Sequence, residues 1–275
     1  MESSRHLPLA SRTMIKAAKT DQAWKQWGEV DPYFGVMTEE KFRAGNLNDQ
    51  SRQEFFQSGQ QMVDHVLEMC RGHVRPDFDP KTVLDYGCGV GRMAISFARG
   101  AESVTGIDVS EGMLTEATAN TKQMGADNVR LLRIEGSTLP VQEKFDLVHC
   151  YIVLQHIPPQ HGLGIFQQLI DSIAPGGIGA IQMTYSRSKF ASHNGLPPSR
   201  WSLKSLWRSL WVESPLRRKF KSWLGLPGSP EMQMNPYHLN QVFFLLQRAG
   251  VTDLHVEFTN HGGHLGTFLV FSKSC

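Results

Sequence analysis

Residues 85–91 read DYGCGVG, in which an acid, Asp85, stands two positions before the first of three alternating glycines. Glycine allows a backbone to turn sharply and to approach a bound molecule closely. A loop of this composition that leads into a helix is suited to binding the polar part of a nucleotide-like ligand. Residues 82–85 are predicted to form a short buried strand, so the loop is expected at the carboxyl end of that strand.

The glycine spacing distinguishes between two classes of ligand. A dinucleotide-binding loop has the pattern G-x-G-x-x-G, and here the third glycine of that pattern is replaced by Arg92. A carboxylate at Asp85 would repel a pyrophosphate but would attract a cationic amino-acid tail. Both features favour S-adenosylmethionine (SAM), which carries an ammonium group and a cationic sulfur, over NAD.

Two further acids follow predicted strands. Asp108 ends a strand over 103–108, where a carboxylate can accept hydrogen bonds from both hydroxyls of a ribose. Glu135 follows a strand over 129–134 and could accept from the amino group of adenine, with an exposed loop acid as the equal alternative. Met113, in the helix after Asp108, is a candidate to pack on adenine or to belong to the core.

The elements that must position these residues alternate between strand and helix. Strands are predicted over 82–85, 103–108, 129–134, 145–150 and 178–184, followed late in the chain by 252–258 and 265–272. Helices are predicted over 92–99, 111–123, 163–173 and 236–249. This alternation is typical of an α/β fold with a parallel sheet and helices on both of its faces.

Composition divides the chain into four predicted segments. Residues 1–80 form an N-terminal helical segment that covers the cofactor, and residues 81–185 form the cofactor-binding core. Residues 186–235 form an insertion rich in Trp, Arg, Lys and Pro, and residues 236–275 complete the sheet with a helix and a hairpin. In the first segment, Tyr33 is the candidate for a contact between an aromatic ring and the sulfonium, with packed core as the commoner alternative.

Several motifs in this order resemble those of class I SAM-dependent methyltransferases. Residues 83–91 are similar to the first motif of that family, and residues 106–110 with Met113 to the second. Residues 145–148 with 154–157 resemble the fourth-strand motif, and residues 169–177 resemble the turn before the fifth strand. The resemblance implies a Rossmann-like seven-stranded sheet of order 3-2-1-4-5-7-6, with strand 7 antiparallel.

The same resemblance assigns residues to the cofactor. It places Asp85, Gly87 and Gly89 around the methionine part of SAM and Asp108 at the ribose. Many members have Asp at the position of Glu135, so the adenine contact could pass to the next residues. The other predicted cofactor contacts are Cys88, Val109, Gly136, Ser137, Cys150 and Tyr151. S-adenosylhomocysteine (SAH) would be the product.

Methyl transfer from a sulfonium requires an acceptor atom aligned with the methyl group and, for a hydroxyl, removal of its proton. Candidates for this base, or for a residue that anchors the acceptor, lie at the carboxyl edge of the predicted sheet: His156, Tyr237, His261 and His264. The alternatives are a packed histidine at position 156 and a solvated turn at positions 261 and 264. His149, inside the fourth strand, is predicted to belong to the core.

The predicted insertion is basic and amphipathic. Between positions 200 and 221 it holds seven cationic residues and one acid, and Leu and Trp recur on one helical face over 203–211. Three interpretations remain open: a packed helical cap over the acceptor, an interfacial helix that makes peripheral membrane contact through 200–224, or an anion clamp built by 217–219. Nucleic acid is not expected as a partner, because the rest of the chain is not basic.

The sequence therefore predicts an enzyme that moves a methyl group from SAM to an oxygen, or to a nitrogen, of a small molecule. That molecule could be anionic or linked to a lipid or glycan. An NAD-dependent oxidoreductase and a non-catalytic SAM-binding module are the alternatives. The four cysteines form no C-x-x-C pair, no metal site is predicted, and no apolar run reaches the ~20 residues of a membrane span, so a cytoplasmic location is expected. The formal net charge of +2 indicates no particular partner, and the oligomeric state is open.

Overall fold

A sheet of seven strands forms the centre of the structure, a computed structural model that describes residues 9–196 and 232–273. The strands are β1 (Thr82–Tyr86), β2 (Ser103–Asp108), β3 (Val129–Arg133), β4 (Phe145–Cys150), β5 (Ile173–Arg187), β6 (Leu254–His261) and β7 (His264–Ser272). Their order is β3-β2-β1-β4-β5-β7-β6. Strands β1 to β5 pair in parallel, whereas β7 is antiparallel to both β5 and β6. The predicted order and the antiparallel seventh strand are confirmed.

Seven α-helices surround this sheet in the described part of the chain. They are α1 (Leu9–Val30), α2 (Pro32–Val36), α3 (Asp49–His73), α4 (Ala94–Phe97), α5 (Glu111–Gln123), α6 (Pro159–Asp171) and α7 (Leu239–Arg248). Local sequence fixes two of the starts. The Asn48 side chain accepts a hydrogen bond from the backbone N–H of Ser51 at the start of α3, and Ser110 caps α5 in the same way.

Both faces of the central strands are buried, as expected for parallel strands covered by helices. On one face, Val83 and Leu147 pack with Val66 of α3 and with residues of α4. On the other face, Leu84 and Val148 pack with residues of α6 and α7. A third cluster joins α1, α2 and α3 to α5 through aromatic side chains. The sheet is thereby held rigidly enough to position the loops at its carboxyl edge.

Several predicted boundaries shift where long-range pairing decides them. The predicted strand over 178–184 extends to Ile173–Arg187, because β5 pairs with β4 from Ile173 opposite Phe145 and with β7 as far as Arg187 opposite His264. The predicted turn over 259–264 shortens to Gly262 and Gly263, and both of these glycines have positive φ. The predicted helix over 92–99 shortens to Ala94–Phe97.

The predicted insertion over 186–235 falls largely outside the described residues. Its first part completes β5 and forms a short 3₁₀ helix, Ser188–His193. Residues 197–231, which carry most of the basic and aromatic positions, are not described, and the division into four segments remains a prediction. In the described ranges, none of the helices has the length and apolar character that crossing a bilayer requires.

Candidate active site

A cavity of about 360 Å³ lies at the carboxyl ends of β1, β2 and β4. Residues 87–89 line it from the loop after β1, Asp108 from the end of β2, and Tyr151 from the position after β4. Helix α1 adds residues 20, 21 and 24 to its wall. Further apolar lining comes from Val36, Ile134, Ile152, Val153, Ile157 and Ile165. The cavity therefore occupies the place at which open α/β sheets bind ligands.

The glycine loop adopts a conformation that side chains would oppose. Gly87 and Gly89 have φ values of 77° and 54°, in the left-handed region that favours glycine. A Cβ atom on Gly87 would lie 2.2 Å from Cγ2 of Val153, and one on Gly89 would lie 2.7 Å from Cγ2 of Val36. The backbone N–H groups of Gly87 and Cys88 both donate to the carbonyl oxygen of Ile107, which ties the loop to β2.

Asp108 joins this loop to the cavity. Its carboxylate accepts hydrogen bonds from the backbone N–H of Gly89 at 3.0 Å and of Ser110 at 2.9 Å. Each oxygen accepts one of these bonds and so retains a lone pair for a further donor. Burial raises the pKa of Asp108 to about 6, although the backbone hydrogen bonds oppose that shift. A pair of ligand hydroxyls would find acceptors here.

Asp85 is placed differently from the position expected of a residue that contacts the cofactor directly. It is 1% exposed and does not line the cavity. His149, the fully buried histidine of β4, lies with Nδ1 2.8 Å from the Asp85 Oδ1 atom. The other carboxylate oxygen has no hydrogen-bond partner among the described residues. A role of Asp85 at the methionine part of SAM stays a prediction.

The structure brings most of the predicted cofactor residues together. The following line the cavity: Gly87, Cys88, Gly89, Asp108, Val109, Met113, Gly136, Ser137 and Tyr151.

Besides Asp85, three predicted cofactor residues do not line the cavity. The Tyr33 hydroxyl donates to Asn120 at 2.8 Å, and this bond holds Tyr33 in the aromatic cluster. Cys150 is fully buried in the core on the α6 side, where burial raises the pKa of its thiol. Glu135 lies at the surface and pairs with Arg133 at 2.6 Å.

Among the four candidate bases, His156 is the one that lines the cavity. Its Nδ1 atom lies 2.7 Å from the carbonyl oxygen of Gln233, so the N–H donates there and the Nε2 lone pair faces away from that bond. Its ring meets the ring of Trp24 edge-on, with centroids 4.8 Å apart. Burial lowers the pKa of His156 to about 4, so the imidazole is neutral near pH 7.

Tyr237 is not at the cavity, which corrects its prediction as a base or anchor. It is 2% exposed, and its hydroxyl lies 2.9 Å from the carbonyl oxygens of both Leu154 and Ile157. Burial raises the pKa of this hydroxyl well above its ordinary value. Tyr237 therefore fixes the 3₁₀ turn that carries His156 and does not itself meet an acceptor.

His261 and His264 face each other across the end of the β6–β7 hairpin and do not line the cavity themselves. The ring of His261 meets that of Tyr151 edge-on at 5.6 Å, and Tyr151 does line the cavity. Partial burial lowers the pKa of both histidines. The hairpin was expected at the acceptor side, and it reaches the cavity through Tyr151.

Three cavity residues carried little or no signal in the sequence. Arg92 was noted only as a departure from a glycine pattern, yet its side chain lines the cavity. Trp24 is one of several aromatic residues in the N-terminal segment, and no periodicity separates it from the others. Ile152 has a φ of 58°, which is strained for a β-branched residue and has no signature in the sequence.

Comparisons with known proteins agree with this geometry. Residues 83–177 match a family model described as a methyltransferase domain. Ubiquinone biosynthesis O-methyltransferase of Hydrogenovibrio crunogenus is 29% identical over 136 residues, which cover 48% of this chain and 56% of the relative. The enzyme of the same description from Pseudomonas paraeruginosa is 38% identical over 79 residues, which cover 28% and 34%. The matched part thus spans about half or less of these curated relatives.

Solved structures show the same fold across most of the chain. Magnesium protoporphyrin IX methyltransferase from Synechocystis, solved with bound SAH, has a TM-score of 0.56 and 18% identity over 96% of this chain and 100% of that one. The N-methyltransferase NodS from Bradyrhizobium japonicum, in complex with SAH, has a TM-score of 0.55 and 12% identity, over 93% and 98%. The sheet order and the likeness to these solved structures show that the chain has the Rossmann-like fold of SAM-dependent methyltransferases, and residues 83–177 match the methyltransferase-domain model.

Proposed function

We propose that the chain is a SAM-dependent methyltransferase that acts on an oxygen atom of a small molecule, with nitrogen as the alternative acceptor atom. The observation that carries this proposal is the cavity in which the glycine loop and the Asp108 carboxylate meet. This pairing suits a nucleoside that carries an amino-acid tail. The names of the curated relatives, which are O-methyltransferases, support oxygen over nitrogen.

The residues present fit SAM at each of its parts. The Asp108 carboxylate has lone pairs for two ribose hydroxyls, and Val109, Met113 and Ile134 offer apolar surface to the adenine. The backbone of residues 87–89 can lie close to the methionine part, because no side chain intervenes. When bound, SAM supplies an electrophilic methyl group.

His156 is the proposed base for a hydroxyl acceptor. It lines the cavity and is neutral, and its Nε2 atom accepts only a long hydrogen bond, from the Gln155 amide at 3.4 Å, which an acceptor hydroxyl would have to replace. This nitrogen would take the proton of the acceptor hydroxyl. Because burial lowers the pKa of His156 to about 4, it is a weak base. Positioning therefore supplies much of the rate.

Apolar side chains dominate the wall beyond the glycine loop, so an acceptor with an aromatic or other apolar body fits best. The test is transfer of a labelled methyl group from SAM to a panel of hydroxylated aromatic compounds and matched aromatic amines. Turnover of hydroxyl compounds by the wild type, abolished in Asp108→Ala, is expected. Turnover of amines alone would transfer the proposal to nitrogen, and turnover of neither class by a SAM-binding protein would contradict it.

Peripheral membrane contact through residues 200–224 also remains a proposal, because those residues lie outside the described ranges. The support is compositional: the segment combines Trp and Leu with an excess of Lys and Arg. Sedimentation with anionic and with neutral vesicles at low salt tests it. Binding to the anionic vesicles alone is expected, and failure to sediment with either would remove this contact. A cytoplasmic location is likewise a proposal, and its support is the amino-acid sequence alone.

A further inference from the structure

Arg92 is a buried cation at the edge of the cavity, and the proposed reaction has not yet given it a role. It is 8% exposed and lines the cavity. None of the ion pairs among the described residues includes it. Burying a guanidinium without a paired anion is costly, so proteins rarely retain one without a use.

The hydrogen bonds of Arg92 leave most of its donors unused. One Nη atom donates to the Ser58 hydroxyl at 3.2 Å, and the guanidinium carbon lies 5.9 Å from the centre of the Phe55 ring. The Nε atom is buried and has no hydrogen-bond partner in the described part of the chain. A guanidinium has five N–H donors, so this environment leaves capacity for a bidentate acceptor.

The arginine is also held in place. A Cβ atom on Gly59 would lie 2.4 Å from the Arg92 carbonyl oxygen and 2.8 Å from its Cγ atom, so α3 packs directly on this residue. Burial lowers the pKa of Arg92, and the neighbouring Tyr151 and Asp85 oppose that change. Asp85 does not neutralise the charge by contact, since its ion pair among the described residues is with His149 and not with Arg92.

The sheet order indicates which ligand the arginine faces. The glycine loop follows β1 and Asp108 ends β2, so the cofactor is expected to lie over β1 and β2. Tyr151, which lines the same cavity as Arg92, follows β4, on the opposite side of β1 from β2. The acceptor must approach the methyl group from that side of the cavity.

We propose that Arg92 binds a carboxylate of the acceptor and thereby makes this enzyme selective for anionic small molecules. The planar fork of a guanidinium matches the two oxygens of a carboxylate. Tyr151 would border the same subsite, with His261 packed behind its ring. This inference rests on the proposed methyltransferase function, because it assumes that the cofactor occupies the β1–β2 side.

Two calorimetric titrations of SAH-saturated protein at constant ionic strength test the proposal. One uses benzoate, and the other uses benzamide, which has the same shape but is neutral. The wild type should bind benzoate about 10-fold to 100-fold more tightly than benzamide, as expected for a charged hydrogen-bond pair. Arg92→Gln should remove this preference. Arg99→Gln is the matched control, because exposed Arg99 also contacts α3, through Gln60, and should keep the preference.

A measurement of SAH affinity shows whether the inference about Arg92 or the proposed function itself has failed. Arg92→Gln should bind SAH within roughly 3-fold of the wild type, since the cofactor contacts lie elsewhere. A wild type that binds no SAH would overturn the proposed function itself. A wild type that binds benzoate no better than benzamide, including one that binds neither, would overturn the role of Arg92 alone.

Two further outcomes also test whether Arg92 binds the acceptor. If Arg92→Gln keeps the benzoate preference but binds SAH more than about 10-fold more weakly, the guanidinium serves the cofactor and the proposal is wrong. If Arg92→Gln does not fold, Arg92→Lys replaces it. That variant retains a cation without the planar fork, and its preference for benzoate should be weaker than that of the wild type but still present.

Discussion

The Asp108 carboxylate accepts a hydrogen bond from the glycine loop and also lines the cavity. Protonation of this carboxylate should therefore change the affinity for the cofactor. Burial raises the pKa to about 6, so the group is ionised above that pH and protonated below it. Ribose hydroxyls donate to the ionised form. SAH affinity should therefore be constant above pH 7 and fall by about tenfold for each pH unit well below 6.

Calorimetry of SAH binding between pH 5 and pH 8 measures this dependence. Asp108→Asn keeps the shape of the side chain but cannot ionise, so its affinity should be lower and should lack the step near pH 6. If Asp108→Asn retained the wild-type pH profile, the step would belong to another group and the assignment of Asp108 to the ribose would be unsupported.

His156 should set the acidic limb of the rate profile if it is the base. Burial lowers its pKa to about 4, so at saturating SAM the kcat/KM for the acceptor should stay high down to about pH 5 and decline only below that. His156→Ala should reduce kcat by about 10²-fold to 10⁴-fold with little change in SAH affinity. His161→Ala is the control, because His161 also lines the cavity. Equal rates for His156→Ala and the wild type would remove His156 from the mechanism.

Residue types predict part of this site and miss the rest for a physical reason. The glycine loop and Asp108 were predictable, because close backbone approach and a strand-end carboxylate are local requirements. The role of Asp85 at the ligand stays a prediction, and its pairing with His149, which is 64 positions later, had no signal in the sequence. Arg92 and Trp24 reach the cavity through tertiary packing, which a local pattern does not encode.

At the scale of elements, α6 packs on the segment before α7 through a glycine that cannot be enlarged. A Cβ atom on Gly162 of α6 would lie 1.7 Å from the Tyr237 hydroxyl oxygen, and that hydroxyl holds the turn before α6. Gly162→Ala should lower the free energy of unfolding by about 1–3 kcal/mol through overpacking. Gly164→Ala, in the same helix, meets nothing within 4 Å and should be neutral or stabilising.

Urea unfolding of the two variants in parallel measures the difference between these glycines. Equal stabilities would show that Tyr237 can move aside freely. In that case the turn that carries His156 would be less firmly held than its two hydrogen bonds to Tyr237 imply.

Helix α1 packs on α5 by direct backbone contact, and this contact should control the cavity wall. A Cβ atom on Gly28 would lie 2.1 Å from the Ser110 hydroxyl oxygen. Gly28→Ala should displace α1, which contributes Trp24 to the cavity, and weaken SAH binding by about 5-fold to 100-fold, equivalent to 1–3 kcal/mol. Gly72→Ala in α3 meets nothing within 4 Å and serves as the control. Unchanged SAH affinity in Gly28→Ala would mean that α1 is not needed to hold the cofactor.

Periodicity located most elements but could not fix their ends. The bounds of β4, Phe145–Cys150, agree with the prediction, and five of its six residues are buried. The extension of β5 beyond 184 depends on its pairing with β7, which lies about 80 positions later, and pairing at that range leaves no local signature.

For the whole molecule, alternation of strands and helices predicted the α/β class, whereas the strand order followed only from the resemblance to a family. The order has a functional consequence. It puts the proposed cofactor on the β1–β2 side and the subsite of Arg92 and Tyr151 on the β4 side. The two reactants would then meet above β1, in the cavity that residues 87–89 line.

The most direct test of the central claim is thermal unfolding of the wild type and of Asp108→Ala with SAM, with SAH and with NADH in parallel. SAM and SAH should each raise the unfolding temperature of the wild type, with about 2.7 kcal/mol of stabilisation at a hundredfold excess over Kd. Asp108→Ala should show a much smaller shift, and NADH should give none. Stabilisation by NADH, or by none of the three, would contradict a SAM-dependent methyltransferase and favour an oxidoreductase or another binding protein on this fold.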